Sequence, residues 1–167
     1  MRYNSFMVGF SLFDWKRGEI VFVGGVIVAI LIISLVQLKT AQVKARDAQR
    51  KADVEVVARG VAAYYADHGE LPASAASGKV VQCGGLRDVE CEWGKDSIED
   101  SDGVKYLDKL PIDPQSSFGK KYVYEKGQEP GKFRVYVALE YSRDSGRRIG
   151  LTAGCGDGVQ CNWYATQ

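Results

Sequence analysis

Residues 20–38 read IVFVGGVIVAILIISLVQL, an apolar run interrupted only by Ser34 and Gln37. As a helix at about 1.5 Å per residue the run spans about 28 Å, close to one hydrocarbon core. A protein of 167 residues has too little remaining chain to bury a helix that is apolar on every face. A secretory signal would have a shorter apolar stretch ending at a small-residue cleavage site. Here Leu38 is followed by Lys39 and by further helical sequence. The run therefore predicts a single membrane-spanning helix.

Helical periodicity continues past the run. Between residues 40 and 66 there is no proline, and Gly60 is the one glycine. Ala41, Ala45, Ala48, Ala52 and Val56 recur in steps of three and four, and Val54, Val57 or Ala58, Val61 and Tyr65 form a neighbouring stripe. Charges are expected on the opposite face, with Asp47–Lys51 and Glu55–Arg59 at i,i+4 as solvated pairs. His68-Gly69 and Pro72 predict an end near Asp67. The expectation is one helix of nearly 50 residues, about 70 Å long, with an apolar first half and an amphipathic second half. Its first half would be covered by lipid or by other copies of itself.

Four cysteines lie in two close pairs, Cys83 with Cys91 and Cys155 with Cys161. Local bridges are the favoured pairing among the three that four cysteines allow. Zinc is the rival, but C-x7-C and C-x5-C fit its usual spacing poorly. Paired disulfides place the domain in an oxidising compartment, outside the cytoplasm. The flanking charges argue weakly the other way: Arg2, Lys16 and Arg17 precede the run, whereas Lys39, Lys44, Arg46, Arg50 and Lys51 follow it. Overall, 22 basic against 21 acidic residues give a net charge of +1, and no direct affinity for nucleic acid is expected.

Strand signals concentrate between residues 103 and 165. Residues 121–125 alternate, 127–131 form a turn, and 133–139 alternate again, with Phe133, Val135, Val137 and Leu139 on one face toward the helix. A further strand is expected near 149–152 or 162–165. The fold class is α+β, a long N-terminal helix packed on an antiparallel sheet of three to four strands. The stretch 73–104 is expected to be a long loop, acidic near 96–102. The domains expected are 1–18, a leader or interfacial segment; 19–39, the transmembrane half of the helix; 40–67, its amphipathic half; and 68–167, an extracytoplasmic globular head.

Catalytic signals are weak. His68 is the single histidine and sits at a helix exit, and no nucleophile elbow, phosphate loop or metal-binding helix motif is present. Glu99, Asp100 and Asp102, with Asp157 elsewhere, read first as solvated acidic loops, with calcium as the alternative. No catalytic residue, metal or cofactor is expected.

The stretches KARDAQRKADVEVVARGVAAYYADHGELP (44–72), YLDKLPIDP (106–114) and FGKKYVYEKGQEPGKFRVYVALE (118–140), in this order behind the apolar run, resemble type IV pilins and the pseudopilins of type II secretion. The resemblance covers about 100 residues beyond the span. It implies a filament subunit inserted in the cytoplasmic membrane, with its N-terminus on the inner side and its globular head outside. Basic residues after the span are common in such families. The implied partners are further copies of the chain, other pilin-like subunits, membrane lipid and a prepilin peptidase. The implied assembly surface comprises Glu19, Ile20, Val23, Val26, Ile27, Ile30 and Leu31. An anchored monomer, such as a binding or adhesion module with a pilin-like fold, is the alternative.

The N-terminal signature departs from the family's K-G-F-T-L-I-E pattern, and three registers compete. Ungapped alignment puts Glu19 at the conserved glutamate of the motif but places no glycine before the cut. Cleavage between Gly9 and Phe10 matches the motif best, with Asp14 for the glutamate, yet drives Lys16, Arg17 and Glu19 into the membrane helix. A cut after Gly18 leaves Glu19 as the first residue. Glu19 is favoured as the functional equivalent. In the family this carboxylate meets the amine of a neighbouring subunit; otherwise it simply complements the helix dipole.

Overall fold

The computed structural model describes residues 17–166, and the chain divides into two compact units that adjoin in sequence at Thr40 and Ala41. Helix α1 (Arg17–His68) supplies every described residue of the first unit and the opening segment of the second. It stops where Gly69 adopts φ +67° and donates its N–H to the Tyr65 carbonyl at 2.8 Å. That left-handed close favours glycine, which has no Cβ to clash.

Within the second unit, α1 buries Asp47, Arg50, Val54, Val57, Ala58, Gly60 and Val61. The helix thus presents its valine stripe inward, while Ala41, Ala45, Ala48, Ala52 and Val56 are exposed. Of the two stripes of helical spacing, the one through Val54, Val57, Ala58 and Val61 is therefore the face that meets the sheet. Both stripes have helical spacing, but valines remove more apolar area from water on burial than alanines. The Asp47–Lys51 pair is corrected, because Asp47 turns inward and Lys51 bonds Asp144 at 2.8 Å instead.

Residues 73–107, read largely as a loop, fold into a small sheet. Its strands are β1 (Ala73–Ser74), β2 (Val80–Cys83), β3 (Leu86–Glu90), β4 (Ile98–Glu99) and β5 (Lys105–Leu107). They run in the order β1-β2-β4-β5, with β3 also paired to β2. These strands are short and their turns glycine-rich, so alternation never extends far enough to register in the sequence. The Cys83–Cys91 disulfide ties β2 to the residue after β3. Val80, Ile98, Leu110 and both of these cysteines are buried.

The second sheet is β6 (Val123–Lys126), β7 (Phe133–Val137) and β8 (Trp163–Ala165), antiparallel throughout. It is the expected hairpin, with 162–165 rather than 149–152 providing the third strand. Tyr124 faces Val135 and Tyr136 faces Tyr164 across the ladders. Phe133, Val135, Val137 and Leu139 enter the main core with Val54, Val57 and Val61 of α1. On the other face, Tyr136 and Ala138 pack against the Cys155–Cys161 disulfide, so both faces of β7 are covered. The architecture is α+β: one long apolar-to-amphipathic helix with antiparallel sheets of five and three strands.

Candidate assembly surface

The first unit's chemistry follows from what its helix leaves uncovered. Its most apolar 18-residue window has a mean hydropathy of 2.8, and none of its residues is buried among the described residues. Thirteen large apolar side chains between Ile20 and Leu38 are 43–74 % exposed, on every face of the helix. A contiguous apolar surface of this kind requires lipid or protein around it. The two hydroxyls are already satisfied: Ser34 donates to the Ile30 carbonyl at 2.8 Å, and Thr40 to the Val36 carbonyl at 3.2 Å. Bonding back to the preceding turn lets these side chains sit on an apolar helix without an unpaired donor.

Among the expected assembly residues, Ile20, Val26, Ile27, Ile30 and Leu31 are exposed and Val23 is half-buried. They fall at steps of three and four and line one side of α1. Glu19 and Gly18 are exposed in the first described turn, where a carboxylate complements the helix dipole. Gly9 and Phe10 lie outside the described residues.

The second unit is locked to its segment of α1 by an ion cluster that sequence reading missed. Arg50 is fully buried, and its five N–H groups are all used. Nε and Nη2 grip the Asp113 carboxylate at 2.9 and 3.1 Å, and Nη2 also reaches Gln115 Oε1 at 3.0 Å. Nη1 donates to Asp47 at 2.9 Å and to Glu140. Asp47 in turn accepts the backbone N–H groups of Glu140 and Tyr141 at 2.9 and 2.7 Å. Arg46 forms a two-pronged pair with Glu140 at 2.9 and 2.7 Å. Burial alone would lower the Arg50 pKa, but its bonds to Asp113, Glu140 and Asp47 outweigh that and raise it. The Arg46 bond, with help from Arg50, pulls the Glu140 carboxyl down to about 2 against the desolvation that opposes it. The planar guanidinium fork suits this work, since an ammonium has only three donors. Two signals were available: Arg50 stands four residues before Val54 on the buried stripe, and Asp113 lies between Pro111 and Pro114.

The cluster also accounts for the basic residues that follow the apolar run. Arg46, Arg50 and Lys51 are bound to Glu140, Asp113 and Asp144. Three of the five cations are therefore parts of the folded head.

The remaining candidates sit at the helix exit. The Tyr106 hydroxyl lies 3.0 Å from Asp100, 3.1 Å from Asp67 and 3.2 Å from His68 Nε2. His68 stacks on Tyr64 with centroids 4.3 Å apart. This links the end of α1 to the β4–β5 turn. One oxygen of Asp100 accepts the N–H groups of Asp102 and Val104, both at 2.9 Å, and the other faces Tyr106. Asp100 thus organises its own turn. Asp157 is exposed on the second disulfide loop, and no group of three His, Cys, Asp or Glu side chains is placed to hold a metal among the described residues.

Comparison of the chain with protein-family models, curated proteins and solved structures finds no match.

Proposed function

We propose that the chain is a structural subunit of a filament of the type IV pilus or type II secretion pseudopilus kind, working by self-association rather than catalysis. The observation that carries this reading is the wholly uncovered apolar segment of α1, continuous in one helix with a segment that forms part of a folded head. In the membrane that segment is a single-pass anchor; drawn out of it, the same surface packs against other copies. The side presented by Ile20, Val23, Val26, Ile27, Ile30 and Leu31 is the assembly surface, and Glu19 is the carboxylate at its start. Other pilin-like subunits are further partners, and a prepilin peptidase is the processing enzyme. The two disulfides support a head outside the cytoplasm, anchored in the cytoplasmic membrane and displayed at the surface once assembled. The binding of Arg46, Arg50 and Lys51 by carboxylates of the head fits the same topology, since their charge is neutralised within the folded domain.

Mass spectrometry of the mature N-terminus tests the reading. A shortened, methylated chain beginning at Phe10, Trp15 or Glu19 is the expected result. An intact Met1 in cells with an active prepilin peptidase would contradict pilus-type assembly and leave an anchored binding module as the better account.

A further inference from the structure

The part of the head next to its first helical residues carries an uncompensated positive charge and an exposed aromatic. Six cations and four carboxylates gather where residues 44–51 of α1 meet the segments 113–120 and 140–144. All four carboxylates are consumed: Asp47 and Asp113 by Arg50, Glu140 by Arg46 and Arg50, and Asp144 by Lys51. Lys120 shares Glu140 at 3.9 Å. Lys44 and Arg143 are exposed and form no ion pair among the described residues. The Lys44 ammonium instead sits 4.7 Å from the centre of the Tyr141 ring, a contact that positions the charge without neutralising it. On the 113–120 segment, which joins the cluster through Gln115 and Lys120, Phe118 is 80 % exposed at the end of a single 3-10 turn, Ser116–Phe118. That turn is held in place on one side by Gln115, bonded to Arg50, and on the other by Lys120 near Glu140.

We infer that this end of the head is a docking surface for the anionic headgroups of a bilayer, with Phe118 entering the interface and Lys44 and Arg143 pairing with lipid phosphates. The inference rests on the membrane-anchored reading above. Charge complementarity selects the partner, because each of the four carboxylates in this cluster is already paired with a cation, while Lys44 and Arg143 are left over. An exposed aromatic ring two residues from Lys120 suits the boundary between headgroups and acyl chains. A rigid turn presents Phe118 at little conformational cost.

The test uses the full chain in vesicles of phosphatidylcholine alone or mixed with phosphatidylglycerol. The native cysteines are disulfide-bonded, so an environment-sensitive dye is attached in separate samples to S117C, beside Phe118, and to S34C, within the apolar segment. The Ser117 dye is expected to shift to the blue with phosphatidylglycerol and to return toward its aqueous emission in phosphatidylcholine or at high salt. Removing a cation with K44S or R143S should weaken docking about fivefold each, and F118S should abolish the shift. The inference is overturned if the Ser117 dye reports water in both lipids while the Ser34 dye reports hydrocarbon. It is equally overturned if the shift follows protein density rather than lipid charge, which would make a second copy the occupant. A Ser34 dye that reports water overturns the membrane reading itself, and this inference with it.

Discussion

Arg50 is the side chain on which the junction of helix and head depends. It neutralises Asp47 and Asp113 inside the domain, and no other cation among the described residues is within 4 Å of either. Arg50→Met would leave two buried carboxylates unpaired, and a loss of about 3–5 kcal/mol is expected in denaturant unfolding of the full chain. Arg50→Lys should recover only part of it, because three donors cannot replace five bonds. A loss below about 1 kcal/mol for Arg50→Met would show that the cluster contributes little. Glu140 adds a pH dependence with a definite sign. Its carboxyl titrates near 2 when folded and near the ordinary 4.5 when unfolded. Its contribution is therefore complete above about 4.5 and is lost as the pH falls from there toward 2. Melting curves between pH 5.5 and 2.5 should show the decline, and Glu140→Gln should flatten it.

Elements were legible in proportion to their length and regularity. The apolar run, the continuation of the helix and the β6–β7 hairpin all follow from periodicity, which survives in uninterrupted stretches. The five short strands between Ala73 and Leu107 were hidden, since runs of two to five residues with intervening turns leave no period to detect. The inward face of α1 was misjudged because a buried Arg–Asp pair looks in sequence like a solvated one; its partners Asp113 and Glu140 lie 63 and 90 residues away. Gly60 lets α1 pack tightly against β5: a Cβ there would stand 3.1 Å from both the Leu107 Cβ and the Tyr106 carbonyl oxygen. Gly60→Leu should cost about 1–3 kcal/mol through overpacking against backbone that cannot retreat; an unchanged unfolding midpoint would mean that the two elements separate freely. The second disulfide supports the outer face of β7. Replacing Cys155 and Cys161 together by serine should cost about 2 kcal/mol, with faster hydrogen exchange in β8 than in α1 as the local signature.

At the scale of the molecule, the sequence and the fold agree on a helix that changes character along its length. Residues before Thr40 leave their apolar surface uncovered, while those after Ala41 bury valines and a paired arginine within a disulfide-bonded head. Among the described residues the apolar window of α1 is left wholly unburied, so the function proposed depends on what covers it. The most direct measurement is oxidative cross-linking of I27C and I30C variants of the full chain in cells that assemble pilus-type filaments. The account predicts a ladder of dimers and higher species through these positions, present in sheared filaments and weakened by Glu19→Ala. A single monomeric band, with the introduced thiols intact and the chain inserted in the membrane, would contradict it.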